Sequence, residues 1–187
     1  MTLTPVPRLI LIGGAPASGK TTLAERLATE LSLPLLTKDL FKEALFDSLG
    51  IPADRERSAE LSRAAFTILY RVAARLIGAG NSLILESNFH RGRSERDLLP
   101  LVERTRAIAL YCDAPEEELH RRYQERIHTG LRHPGHLDWS LSVFEEQARA
   151  GLYEPLDLPI PALRIDTSHG YEPDYAEIRQ FAVSPNI

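Results

Sequence analysis

Residues Gly14-Ala15-Pro16-Ala17-Ser18-Gly19-Lys20-Thr21 match the pattern G-x-x-x-x-G-K-[ST] at every fixed position. Each residue type has a physical reason to be there. A loop that turns its backbone N–H groups inward can wrap a polyphosphate, and Gly14 and Gly19 permit that close approach. A helix opening at Lys20, Thr21 and Thr22 points its positive end at the same place. Lys20 has the reach to touch β- and γ-phosphates, and the Thr21 hydroxyl is a hard oxygen ligand suited to Mg²⁺. A plain glycine-rich turn capping a helix would not need lysine and threonine in this register. The implied cofactors are ATP and Mg²⁺.

Two carboxylates stand where they could serve a reaction at that phosphate. Asp39 lies at the junction of a short strand and a helix, where Asp is also a good N-cap. A hydroxyl that accepts a phosphoryl group needs a positioned carboxylate to take its proton, so Asp39 is the candidate base. Its neighbour Lys38 either favours the ionised carboxylate or is merely solvated. Glu86 closes the apolar run Leu83-Ile84-Leu85. It could hold Mg²⁺ through water, grip the acceptor, or simply face solvent. The polar stretch that follows, with Asn88, His90, Arg91 and Arg93, offers acceptor contacts, although loops are usually polar.

Arginines concentrate further along, at Arg121, Arg122, Arg126 and Arg132. Arg122 and Arg126 are i,i+4 and share a helical face, with Leu119, Tyr123 and Ile127 as the packing stripe. A solvated face is the alternative, but they read as cations of a lid over a transferring phosphoryl group, with Arg122 and Arg126 the expected phosphate contacts. His133, His136 and Asp138 lack the further ligands of a zinc site. The segment 132–138 reads as a lid or rim loop hinged at Pro134 and Gly135. Asp166-Thr167-Ser168 reads as a strand-to-loop turn.

Strands are expected at 8–13, 33–37, 82–85, 107–111 and 162–165, from short apolar runs bounded by turn residues. Helices are expected at 21–31, 40–49, 138–149 and 174–181. A further helix should run to about Thr129 from a capping-box-like start at Asp113 and Glu116. A long helix is marked by Leu61, Ala65, Ile68, Val72 and Leu76 and ended by Gly78 and Gly80. Alternating strands and helices imply an α/β fold: a parallel sheet with helices on both faces and the site at the strands' carboxyl ends. The 187 residues show no repeat or linker, so one domain spanning 1–187 is expected, with the lid near 120–138.

Composition narrows the setting. No apolar run suits a membrane span, and a single cysteine, Cys112, excludes an internal disulfide. Both fit a cytoplasmic protein with no membrane partner. Net charge is -4, so no global positive field attracts nucleic acid. Aromatics are 7% of residues; Phe41, Phe46 and Phe66 suit a core, with Phe89 and Tyr123 the possible exceptions near the rim. Monomer and homodimer are both open.

No Asn-Lys-x-Asp base-reading motif of GTPases and no ABC-type signature is present. GAPASGKTTLA, TKDLFKEAL, LESNF and RHPGHLD together resemble the AAA_33-type P-loop kinases. These are related to chloramphenicol phosphotransferase, zeta toxin and the kinase domain of polynucleotide kinase. The resemblance covers nearly the whole chain. It implies a nucleoside-monophosphate-kinase type fold, a sheet in order 2-3-1-4-5 and a mobile lid. It also implies that Asp39 acts as base and that the Asp166 region borders adenine. The expected activity is γ-phosphate transfer to a small-molecule hydroxyl on an antibiotic, sugar, nucleoside or other metabolite. A zeta-toxin-like nucleotide-sugar kinase, a polynucleotide 5′-hydroxyl kinase and an ATP switch without an acceptor are the alternatives. Lys20→Ala should abolish transfer and sharply weaken triphosphate binding; unchanged turnover and ATP affinity would refute the assignment.

Overall fold

The structure, a computed structural model, describes residues 5–129, 133–136 and 141–184. Five parallel strands form one sheet in the order β2-β3-β1-β4-β5. They are β1 (Arg8–Gly14), β2 (Leu35–Thr37), β3 (Leu83–Glu86), β4 (Arg106–Asp113) and β5 (Ala162–Asp166). The order is the one implied by the resemblance. The helices are α1 (Lys20–Leu31), α2 (Lys38–Leu49), α3 (Arg55–Gly78), α4 (Glu95–Val102), α5 (Glu116–His128), α6 (Leu141–Arg149) and α7 (Tyr175–Val183).

Alternation along the strands divides the core in two, as a pleated sheet requires. Leu9, Leu11, Leu83, Leu85, Ala107, Ala109 and Tyr111 face α3 and α4. Ile10, Ile12, Ile84, Ile108, Leu110 and Cys112 face α1 and α7. Because both faces are covered, the central strands are continuous apolar runs. Burying them at about 25 cal/mol per Å² of apolar surface supplies the main force that holds the strand ends in register.

Several expected boundaries move. β1 runs on to Gly14, β3 to Glu86, β4 to Asp113 and β5 to Asp166. Backbone pairing continues after the apolar side chains stop. The buried line of α3 is Leu61, Ala65, Leu69, Ala73 and Ile77, with Ile68, Val72 and Leu76 only partly covered. Strict spacing by four drifts about 40° per step on a helix of 3.6 residues per turn, so the buried line winds slowly around α3. α4 was not expected, because it opens on Glu95, Arg96 and Asp97 and holds Pro100.

Two caps also differ from expectation. α5 starts at Pro115 with no side-chain cap, and Asp113 Oδ1 instead accepts from Ala114 N at 2.9 Å. No capping box forms there; the one that does form joins Asp174 and Glu177 at α7. α2 is capped by Thr37, whose hydroxyl accepts from Leu40 N at 3.1 Å. Asp39 is therefore not the N-cap and is released for other use. Phe89, 2% exposed, is core and not rim. No described helix is long and apolar enough to cross a membrane.

The crossing of β1 into the glycine loop is tightly packed. Gly14 has φ 137°, and a Cβ there would lie 2.2 Å from the Cys112 carbonyl oxygen and 2.7 Å from Ser18 Oγ. Gly14→Ala should therefore destabilise the fold by about 3 kcal/mol or more. A chemical denaturation midpoint equal to that of the unsubstituted chain would show that the strand end yields freely.

Candidate active site

The loop between β1 and α1 turns through left-handed backbone at Ala17 (φ 64°) and Gly19 (φ 79°). Ala17 is not glycine, so this conformation costs on the order of 1 kcal/mol that the surrounding bonds must hold. Ser18 N donates to Ala15 O at 3.2 Å, and Leu23 N to Gly19 O at 3.2 Å, which closes the loop onto the first turn of α1. Such alternating backbone creates a concavity of N–H groups.

Lys20 is the charged group of this cradle and is 7% exposed. Its Nζ donates to Ala15 O, within its own loop, at 3.0 Å. Burial pulls its pKa below the ordinary lysine range, and the carboxylates of Glu86 and Asp39 pull it back up. Glu86 is 5% exposed, so the solvent-facing reading of this residue does not hold. Burial raises its pKa, opposed chiefly by Lys20. Thr21 Oγ1 donates to Glu86 Oε2 at 3.5 Å. The pairing Ile12↔Glu86 sets this carboxylate beside the mouth of the loop, and Thr37↔Glu86 sets the β2 end beside it.

Asp39 therefore enters from α2 one strand away. Its carboxylate accepts from Lys38 Nζ at 3.0 Å, so Lys38 is a partner and not a solvated bystander. The Asp39 side chain is 41% exposed and that of Lys38 17%. Asp39 is accessible to an incoming molecule, and its charge is felt by both Lys20 and Glu86. Lys20, Thr21, Glu86 and Asp39 are thus brought together.

The stretch after β3 is not a loose loop. Arg93 N and Ser94 N both donate to His90 O, His90 N to Ser94 Oγ, Gly92 N to Glu95 Oε1 and Arg91 N to Leu152 O. The result is a rigid turn ahead of α4. Arg91 and Arg93 project from it into solvent without a described carboxylate partner, while Asn88 is half-buried. His90 packs edge-on against Tyr153 at 5.6 Å. Burial, with Arg93 and Lys38 nearby, lowers its pKa from 6.5 to about 4.

Arg122 and Arg126 share a face of α5 but not a situation. Arg122 donates from Nε to Glu118 at 2.6 Å, from Nη1 to Thr167 Oγ1 at 3.1 Å, and from Nη2 to Thr167 O at 2.7 Å and Ser168 O at 3.2 Å. It fastens α5 to the end of β5. Arg126 lies close enough to Lys20 and Glu86 for its charge to act on both. Arg121 is outside this group, bonded to Glu118 and Glu125. Arg132 and Asp138 lie outside the described residues, and so does part of the expected lid.

Asp166 is exposed, and the Ser168 side chain together with Ser168 N, which donates to its carboxylate at 2.7 Å, lowers its pKa. His133 Nε2 lies 3.0 Å from Asp47 Oδ1 and His136 Nε2 2.8 Å from Glu43 Oε1. These contacts dock the 133–136 turn on α2, with His133 stacked on Phe46 at 5.4 Å. No metal-binding cluster of three or more such residues occurs among the described residues.

Comparison with known proteins identifies the family and the fold. The AAA_33 family, described as an AAA domain, matches residues 9–150. A solved chain from Chloroflexus aurantiacus, provisionally designated a kinase, is 39% identical with a TM-score of 0.85 and covers 97% of this chain and 100% of its own. A sugar kinase from Janibacter is 21% identical (TM-score 0.59), with 97% of each chain covered. The Mycobacterium tuberculosis APS kinase CysC, solved with AMPPNP and APS, is 18% identical (TM-score 0.57), covering 97% of this chain and 98% of its own. The last two show likeness of fold. No curated protein matches the chain at a significant level.

The lowered pKa of His90 fixes a sign for pH dependence. The folded state prefers neutral imidazole, so its contribution is intact above pH 6.5 and is lost as pH falls towards about 4. Across that interval, denaturation midpoints should fall more steeply for the unsubstituted chain than for His90→Gln. Parallel curves would show that His90 titrates normally.

Proposed function

Because the chain belongs to the AAA_33 family, we propose that it is an ATP-dependent kinase that transfers the γ-phosphate to a hydroxyl of a small molecule. The observation that carries this reading is the convergence of Lys20, Thr21, Glu86 and Asp39 at adjacent strand ends.

ATP occupies the cradle of residues 14–22, with the Gly14 to Gly19 backbone amides and Lys20 on its phosphates. Lys20 exchanges the Ala15 carbonyl for phosphate oxygens. Thr21 Oγ1 and Glu86 Oε2 supply hard oxygens 3.5 Å apart, a set that fits Mg²⁺, Glu86 through water. When bound there, the ion would neutralise the charge that develops on the transferring phosphate. Asp39 takes the proton of the acceptor hydroxyl as its oxygen attacks the γ-phosphorus. The bond from that phosphorus to the bridging oxygen breaks, and the electron pair leaves with ADP. Arg126 answers the charge spread over the transferring oxygens. Arg122 anchors the helix that carries Arg126, and Asp166 borders the nucleotide.

Asn88, Arg91 and Arg93 face the acceptor side, on the turn held by His90 and Ser94. Asp39 and Glu86 flank the same opening, and Glu86 is shared between metal and acceptor in this reading. Burial of Phe89 removes a stacking platform that a single-stranded nucleic acid would use, which favours a small acceptor over a polynucleotide end.

Asp39→Asn is nearly isosteric and Thr37 still caps α2, so fold and ATP affinity should survive. Loss of the base should slow labelling of an acceptor from γ-labelled ATP by about a hundred- to ten-thousand-fold. A panel of hydroxyl-bearing metabolites and antibiotics supplies the acceptor. A normal rate in the variant would remove Asp39 from the mechanism. ATP hydrolysis with no acceptor labelled would turn the reading towards a switch.

A further inference from the structure

Thr167 follows β5, 6% exposed, and no catalytic step uses it. Its hydroxyl is nonetheless where three parts of the site meet. Thr167 Oγ1 donates to Ser18 O in the phosphate loop at 3.1 Å and lies 3.0 Å from Asp113 O at the end of β4. It accepts from Arg122 Nη1 on α5 at 3.1 Å. A hydroxyl has one proton to give. The Asp113 carbonyl already receives the Thr167 backbone N–H at 2.9 Å. What the hydroxyl adds that the backbone does not is therefore its hold on Ser18 O.

That hold matters because of peptide geometry. In a planar trans peptide the C=O of one residue and the N–H of the next point in opposite directions. Fixing the Ser18 carbonyl towards Thr167 aims the Gly19 N–H the other way, into the concavity that receives phosphate. Gly19 stands at φ 79°, and the Thr167 side chain packs 3.7 Å from where a Gly19 Cβ would be. The methyl and the hydroxyl thus support the same peptide unit from behind.

We propose that Thr167 is a positioning residue for the nucleotide's phosphates. It acts through the Ser18–Gly19 peptide, and Arg122 holds its hydroxyl in the orientation that does so. The inference rests on the reading of residues 14–21 as an ATP cradle. It assigns to the end of β5 a part in phosphate binding that is separate from any contact with the base. Donation from Arg122 occupies a lone pair of the hydroxyl and leaves its single proton for a carbonyl; Asp113 O is already served by the Thr167 backbone N–H, which favours Ser18 O. The link spans 149 residues of sequence.

The test compares Thr167→Val, which keeps the shape and removes the hydroxyl, with Thr167→Ser, which keeps the hydroxyl. Binding of ATP, ADP and adenosine is measured by calorimetry beside the melting temperature of each variant. Thr167→Val should weaken ATP and ADP by about tenfold and leave adenosine unchanged. Thr167→Ser should restore the affinity for ATP. A role confined to stability would lower the melting temperature without separating ATP from adenosine. Wild-type ATP affinity in Thr167→Val, an equal loss for adenosine, or failure of serine to restore binding would each overturn the proposal. If Thr167→Val does not fold, Thr167→Ala is judged by the same comparison. Failure of the unsubstituted chain to bind ATP would instead overturn the kinase reading beneath it.

Discussion

A lysine ammonium kept out of water is the constraint around which this site is built. Lys20 is 7% exposed at the first turn of α1. An isolated charge so placed would carry a penalty of several kcal/mol. The fold offsets it with the Ala15 carbonyl and with two carboxylates, Glu86 at the end of β3 and Asp39 in the first turn of α2. This requires β3 beside β1, so that Glu86 ends next to the loop, and β2 beside β3, so that α2 starts there with Asp39. Sheet order and site chemistry are two aspects of one requirement. The same desolvation makes Lys20 effective, since its charge is poorly screened where the phosphates arrive.

Much of this was legible in the residues alone. The glycine loop, its lysine and its threonine stand at the predicted strand-to-helix crossing, and the alternation of elements gave the parallel sheet. Strand ends were less legible, and for one reason. Apolar counting stops at Leu85, Tyr111 and Ile165, whereas the ladder continues to Glu86, Asp113 and Asp166. At the functional rim the backbone remains in the sheet after the side chains have turned polar. α4 carries no apolar signal at its start for a related reason, since its first turn is charged. The Thr167 contact could not be read at all, because its partner is a carbonyl, and carbonyls leave no trace in residue identity.

Helix α5 shows how equal spacing conceals unequal roles. Arg122 and Arg126 are one turn apart and indistinguishable by period. Arg122 meets the carbonyls of Thr167 and Ser168, and its fork of donors is occupied by them and by Glu118. Arg126, a turn further on, lies close enough for its charge to act on Lys20 and Glu86. The beginning of the helix is thus fastened to the sheet, and its later part is where cationic charge meets the phosphate site. The docking of the 133–136 turn on α2, through Phe46, Glu43 and Asp47, gives the chain beyond α5 a second anchor.

The close approach of β1 and β4 at Gly14 also governs the chemistry of the chain's single thiol. Cys112 pairs with Gly14 across the ladder, is 1% exposed, and has its thiol pKa pushed up to about 12 by burial. Oxidants and electrophiles react with thiolate, and this sulfur presents almost none. The seam that leaves no room for a methyl group at Gly14 also seals the thiol beneath the phosphate loop. Peroxide stress therefore has no covalent route into this nucleotide site through its nearest sulfur while the seam is closed.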